Sequence, residues 1–339
     1  MNIVKTVSLV MAAVAVAASF PATAADTSGA KIGISWSYIN NTFYQAESSL
    51  VTEGLKQQGL IPLPVANANG DLSKQLSDME TLIAQGVKAL VVVPIDSKAV
   101  GPVVDRAAQR GIPMVGPDIG IDDKQVFVNV TTDNYLMGEM ECESLGPLVK
   151  KGNVAYITGN LADLAGRNRH DGFMDCMKKK FPNTKVVVGE SKWDTRVAAD
   201  QLQALLIAHP DIKGVSLASD CQYLTAILQV LRTNGRLKPA GDPAHVFLAT
   251  IDGGPEAMNA IRAGQVDITI AQNLLGYAKY TSMYVKSALE GKRVSIGKTD
   301  HGSEVVSRNG VLYDMIPAIL VSKNNVNDPQ IWGNVIQRK

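Results

Sequence analysis

The chain has 339 residues, is 46% hydrophobic and 19% charged, and sets 33 basic side chains against 32 acidic ones, a formal net charge of +1. That length exceeds what one small core serves and suits two domains. The even charge supplies no basic face for a nucleic acid or an anionic membrane.

Residues 1–24 stand apart from the rest. Lys5 precedes the apolar run VSLVMAAVAVAASF, and PATAA follows with Ala22 and Ala24 two apart. This pattern is a secretory signal peptide cleaved near Ala24. The run falls short of the ~20 residues that span a bilayer, and no cysteine at the cleavage site invites a lipid anchor. Removing Lys5 with the segment leaves 32 basic and 32 acidic residues. The mature chain is expected to be soluble, most simply in a bacterial periplasm. Cys142, Cys176 and Cys221 are its only cysteines. An oxidising compartment permits one disulfide. If one forms, Cys142 and Cys176 on neighbouring helices are the pair; three buried thiols is the other reading.

The first elements alternate strictly. KIGISW (31–36) is a strand, 42–59 a helix stopped by Gly59, 60–67 a strand, and 71–86 a helix ending in glycine. KALVVVP (88–94) is a continuous apolar run, as in a strand buried on both faces. A helix at 97–111, a strand at 112–118 and a strand at 125–130 complete the series. The pattern then restarts with a helix at 134–152 and the strand NVAYITG (153–159). Helices at 167–182, 195–210, 223–235 and 255–264 interleave with strands at 184–190, 212–219, 245–252 and 266–272. A helix at 277–290 has no sheet of its own and is expected to return to the first half; a strand near 304–306 and a tail follow.

Such alternation implies parallel sheets covered by helices on both faces. The halves also share a pattern, strand–Asp–helix–strand–Asp, with Asp96 and Asp118 in one and Asp220 and Asp252 in the other. The fold class is therefore α/β, two doubly wound lobes of similar topology. The expected division is 25–132 with 274–300 in an N-terminal lobe, 133–273 with 301–320 in a C-terminal lobe, and a tail, 321–339, crossing back over both. Ligands of such sheets bind outside the carboxyl ends of the strands, so two facing lobes make one cleft.

No catalytic signature is found: no GxGxxG after a strand, no P-loop, no HExxH and no GxSxG. His170, His209, His245 and His301 are scattered without metal-ligand spacing. No catalytic residue, metal or cofactor is expected. Strand-end polar groups are what the sequence offers. Asp118 is far from the next helix and reads as a ligand contact; Asp96 reads as a helix cap, and Asp220 as a less certain one. Asp252 fits either role. Arg167 and Arg169 lie at the mouth of a strand–helix turn, where one can face the cleft and donate from a fixed fork, or both can be solvated. Trp36 and Trp193 stand in strand-end loops, and their rings can stack on a ligand or pack the loops. ISWSYINNTFY (34–44) gathers Trp36, Tyr38, Phe43 and Tyr44 beside Asn40 and Asn41, in a chain only 5% aromatic. Flat rings next to amides and carboxylates suit a neutral polyhydroxyl compound with apolar C–H faces and polar edges.

Several of these stretches resemble the type I periplasmic substrate-binding proteins of ABC importers, in the ribose/galactose-binding branch, over nearly the whole mature chain. NNTFY (40–44) is similar to that family's Asn-Asn-Pro-Phe-Phe ligand loop, with Thr42 and Tyr44 substituted, which implies ligand contacts from Asn41, Phe43 and Tyr44. GIPMVGPD implies a sugar-binding role for Asp118, although Ile119 stands where ribose binders carry arginine. RNRHDGF implies the ligand arginine at Arg169, with His170 replacing a glycine. SKWDTR places Trp193 at a stacking aromatic, and Ser219 replaces a ligand asparagine. TIDGG and TIAQN imply the second sugar aspartate at Asp252 and a hinge glutamine at Gln272. The tail resembles branches with a longer C-terminus.

The resemblance implies two Rossmann-like lobes that close on a sugar or polyol about a hinge near 131–134, 271–274 and 299–303, and then dock on a membrane permease. A monomer is expected, and a chemoreceptor is a further possible partner. The competing classes are a repressor effector domain of LacI type, which the signal peptide and the missing helix-turn-helix oppose, and an exported enzyme, which the missing catalytic motifs oppose.

Overall fold

Alternation along the strand Ala89–Val93 sets the architecture of the first lobe. All five residues are buried. Leu90 and Val92 pack with Leu82 and Val103 on one side of the sheet, whereas Ala89, Val91 and Val93 pack with Val51 and Val285 on the other. A strand covered on both faces needs apolar residues at every position. In the computed structural model, which describes residues 27–149 and 152–338, two such sheets form. The expected signal peptide, 1–24, lies outside the described residues.

The first sheet runs Ile61–Pro62, Lys31–Trp36, Ala89–Val93, Met114–Pro117, Val128–Thr131, Val311–Met315, Glu304–Arg308, Gly297–Lys298, with Ala66–Asn67 also on Lys31–Trp36. The second runs Val186–Gly189, Asn153–Ile157, Ile212–Leu217, Phe247–Asp252, Ile268–Ala271, Ile319–Ser322. Pairing is parallel except at the C-terminal edge of each sheet. In each, the second parallel strand of the chain lies outside the first and the later ones stack on the opposite side. This order is the doubly wound one, with a switch point beside Lys31–Trp36 and another beside Asn153–Ile157.

One expectation about the division needs correcting. Residues 301–320 do not belong to the second lobe as a block. The strands Glu304–Arg308 and Val311–Met315 form a hairpin, and the latter pairs with Val128–Thr131 of the first sheet. Only Ile319–Ser322 joins the second sheet, antiparallel to Ile268–Ala271. The third passage between lobes therefore lies at 316–318, between those strands, and not at 299–303. The other two passages are the short links after Val128–Thr131 and after Ile268–Ala271. The helix Leu274–Leu289 contributes Leu274, Tyr277 and Val285 to the first-lobe core.

Two helices of the second lobe, Asn134–Val149 and Leu164–Lys180, cross unusually closely. A Cβ on Gly172 would sit 2.0 Å from the Tyr135 carbonyl oxygen, and one on Gly138 would sit 2.2 Å from that of Arg169. Only glycine permits this approach. A Cys142–Cys176 disulfide joins the same pair of helices across 34 residues. Cys221 carries the remaining thiol.

Candidate functional site

The site forms where the carboxyl ends of both sheets face each other. Asp118 follows the strand Met114–Pro117 and Asp252 ends the strand Phe247–Asp252, one from each lobe. Both take positive φ, 57° and 120°. This conformation is unfavourable for a residue with a side chain and recurs at functional positions. At each strand end it breaks the strand's course just where a carboxylate enters the cleft.

Asp252 is the better satisfied of the two. It accepts from Ser219 Oγ at 2.5 Å, Gln272 Nε2 at 2.8 Å and Arg169 Nη1 at 3.3 Å. Burial raises its pKa, and Arg169, Ser219 and Gln272 pull against that rise. Arg169 comes from the glycine-crossed helix and is 2% exposed. Its Nε donates to Asn134 Oδ1 at 2.8 Å and its Nη1 to the Ala218 carbonyl at 2.7 Å. Burial works against its charge, but Asp252 and then Asp118 hold the guanidinium ionised, above its ordinary range. A side chain held at so many points cannot swing, so its remaining donors have a fixed direction.

Asp118 differs. Its Oδ1 is buried and has no hydrogen-bond partner among the described residues. Burial pushes its carboxyl up to about 7; Arg169 and a hydrogen bond from the Tyr44 side chain oppose the rise, and Asp252 and Asp163 add to it. Glu47, fully buried on the helix Thr42–Gln57, is driven well above the carboxylate range by burial and by Asp118. A buried acceptor left unpartnered is destabilising unless a bound molecule supplies the donor.

Aromatic rings wall the cavity. Tyr38, Phe43, Tyr44 and Trp193 line it together with Asn41, Ile119, Ala165, Arg169, Ser219, Gln222 and Gln272 and the two aspartates. Trp193 takes φ 63°. Its indole N–H donates to Asp163 Oδ2 at 2.6 Å, its ring stacks on Tyr223, and Arg169 Cζ lies 5.9 Å from its centroid. Asp163, pushed to about 6 by burial, also caps its helix by accepting from Gly166 N.

The lobes meet directly around this cavity. Asn41 caps the helix Thr42–Gln57 through Tyr44 N, and its Nδ2 donates across the cleft to Gln222 Oε1 at 2.6 Å. Leu164 N donates to Ser97 Oγ at 3.1 Å, again from one lobe to the other.

Nine of the ten expected site residues come together: Asn41, Phe43, Tyr44, Asp118, Arg169, Trp193, Ser219, Asp252 and Gln272. Trp36 does not. It is fully buried in the first-lobe core with Ile32 and Ile34. Side chains of a strand alternate, so the face of Ile32 and Ile34 continues at Trp36 and turns the ring into the core. Tyr38, past the strand end, takes the cavity position. Gln222 was also missed, although Ser219 and Gln222 have the Ser-x-x-Gln spacing of a capping box; Ser219 Oγ does accept from Gln222 N. Asp96 caps its turn through Lys98 N and Ala99 N. Asp220 is not the N-cap, because Ser219 is. It instead accepts from Thr250, Thr269, Gly253 N and Gly254 N, bracing the backbone just after Asp252. Asp220, Cys221 and Asp252 approach one another as a metal triad would, but those donors, with Arg169 and Gln272, already occupy both carboxylates. His170 turns to Asp171 and stands outside the cavity wall.

The model of a periplasmic binding protein domain matches residues 32–293. The chain belongs to this periplasmic binding protein family. A ribose import binding protein of Bacillus subtilis is 30% identical over 265 residues, 78% of this chain and 83% of that protein. A xylitol-binding protein of Mycolicibacterium smegmatis is 31% identical over 289 residues, 80% of this chain and 77% of that protein. The crystal structure of an ABC transporter solute-binding protein from Mycobacterium smegmatis with bound glycerol superposes with a TM-score of 0.76 at 28% identity, covering 88% of this chain and 96% of that one. These family members place the two-lobed α/β fold among solute-binding proteins. No helix of the described residues is long and apolar enough to cross a membrane.

Proposed function

We propose that this protein is the periplasmic solute-binding component of an ABC importer, capturing a small neutral sugar or polyol between its lobes and delivering it to a membrane permease. One observation carries the reading: each lobe sends a single strand-end carboxylate into a cavity walled by four aromatic rings, and Asp118 Oδ1 there has no hydrogen-bond partner among the described residues. Carboxylates accept paired hydroxyls, fixed Arg169 donors meet ligand oxygens, and ring faces cover C–H surfaces. The family relationship to sugar- and polyol-import proteins supports the same chemistry.

The protein acts by closure, as a monomer, with no bond made or broken. Among the described residues no histidine or cysteine lines the cavity, and the Ser219 hydroxyl is tied to Asp252. Ile119 beside Asp118, where ribose binders carry arginine, favours a ligand other than ribose.

The test is thermal melting of the mature protein against sugars, polyols and, as controls, amino acids. A ligand at about 100 times its Kd stabilises the native state by roughly 2.7 kcal/mol, a shift of several degrees. Mass spectrometry of the recovered ligand should return it unchanged. A response to amino acids alone, or turnover of the ligand, defeats the proposal.

A further inference from the structure

The C-terminal tail places one large side chain between the lobes. Trp332, on the short helix Trp332–Val335, is 2% exposed. Its indole N–H donates to the backbone carbonyl of Asp252 at 2.8 Å. Its ring, however, belongs to an apolar cluster that is mostly first-lobe but takes in Ala165 and Cys221 of the second, and it meets Phe43 edge-on, with centroids 5.7 Å apart. Phe43 and Asp252 are both cavity residues, from opposite lobes.

Among the described residues, hydrogen bonds tie the tail to the second lobe, while the side chains of Trp332 and Ile336 reach the cluster that holds Phe43. Arg262 donates to Asn334 Oδ1 at 2.6 Å, and Asn334 Nδ2 closes on the Val326 and Asp328 carbonyls. The backbone at Gly333 lies against the Gly253–Gly254 turn, where an added Cβ would sit 2.3 Å from the Gly253 oxygen. Parting of the lobes therefore leaves the Asp252 hydrogen bond intact and strips the Phe43 face of the ring. A Trp side chain buries a large apolar area and gains further from edge-to-face partners. That gain is present in the closed form and lost in the open one. It does not pass through the ligand.

We infer that Trp332 is a positioning residue that latches the closed form: the tail carries it on the second lobe, and closure seats it against Phe43 of the first. The inference rests on the proposed capture by closure. It makes closure partly intrinsic to the protein, so that the population of the binding-competent form, and with it the apparent affinity, is set from outside the ligand's own contacts.

The test uses the mature chain with Trp332→Ala and Trp332→Phe, the second keeping the apolar filling while removing the N–H. Small-angle scattering of the ligand-free proteins comes first, after circular dichroism and melting confirm folding. Trp332→Ala should expand relative to wild type, with Trp332→Phe between them. Superimposable curves overturn the latch. Stopped-flow binding of the sugar or polyol giving the largest thermal shift should then show dissociation faster by about tenfold or more in Trp332→Ala, with association little changed. A lower melting temperature with unchanged dissociation is a purely structural role and also overturns it. Failure of every sugar and polyol to bind wild type counts against the proposed function, while the scattering comparison still decides the latch. If Trp332→Ala does not fold, Trp332→Leu, which removes the ring that meets Phe43 edge-on, carries both readings, and wild-type values in it overturn the inference.

Discussion

Asp118→Asn separates what the cleft carboxylate does for a ligand from what it costs the fold. Asparagine keeps the shape and tolerates the φ of 57° that alanine would adopt only under strain. Because Oδ1 has no partner, the exchange breaks no hydrogen bond at that atom among the described residues. Holding a carboxyl with an ordinary value of 3.8 up to about 7 corresponds to a penalty of at most about 4 kcal/mol on its charged form. Asp252 and Asp163 share in that penalty. The neutral amide removes it. On the ligand side, two hydroxyl bonds drop from charge-assisted strength, about 1.5–3 kcal/mol each, to the neutral range of about 0.5–1.5. The loss is about 2–3 kcal/mol, or roughly 30- to 150-fold in affinity. Isothermal titration calorimetry with the best sugar or polyol reads the affinity. Scanning calorimetry of the ligand-free protein at pH 7.5 reads the stability. Binding should weaken while the melting temperature holds or rises. Wild-type affinity, or lost binding together with a lowered melting temperature, refutes the assignment of Asp118 as a ligand group held at a cost to the fold.

Asp252→Ala should behave oppositely in stability, because it strands the buried Arg169 guanidinium; breaking such a pair costs about 3–5 kcal/mol, visible as a lower melting temperature along with abolished binding. The ligand-free protein should lose stability as pH rises. Asp118 and Asp220 at about 7 and Asp163 at about 6 hold protons in the folded form that the unfolded chain releases near pH 4. The folded form thus binds more protons between about pH 4 and 7, and stability falls across that window; melting from pH 5 to 8 should show it, with a shallower slope in Asp118→Asn. Reduction of the Cys142–Cys176 disulfide, or Cys142→Ala with Cys176→Ala, should lower stability by about 4 kcal/mol for a loop of this length, read in denaturant titrations. Tyr38→Ala should weaken ligand binding at little cost in stability, whereas Trp36→Ala should do the reverse, costing about 3–5 kcal/mol; the two measured together test which ring faces the cavity.

Much of the fold was legible because its signals are local. A run such as Ala89–Val93, apolar at every position, says by itself that both faces are covered. Asp118 could be picked out because it closes a strand far from the next helix, whereas spacing left Asp252 open and the family resemblance singled it out. Pairings between distant segments are written nowhere locally, and there the reading failed: Val311–Met315 finds Val128–Thr131 some 180 residues earlier. Part of that hairpin was nonetheless visible. Asn309 and Gly310, with φ of 53° and 84°, form the Asn-Gly pair that favours two-residue hairpin turns. Trp36 was misplaced for a different reason. Aromatic crowding was given more weight than period-two alternation, which assigns Trp36 to the core and leaves Tyr38 for the cleft. Trp332 gave no warning, since a lone tryptophan in an irregular tail has no periodicity to read.

The sheet topology also orders the events of folding. Every parallel strand of the second sheet, with the disulfide, lies between residues 134 and 271, so that lobe can nucleate as soon as this stretch emerges. The first sheet cannot be completed until Val311–Met315 arrives to pair with a strand made far earlier. Contacts so distant along the chain form slowly. Lys31–Trp36, Ala89–Val93, Met114–Pro117 and Val128–Thr131 can pair among themselves before then, so what waits for the end of synthesis is the C-terminal edge of the first sheet, beyond Val128–Thr131.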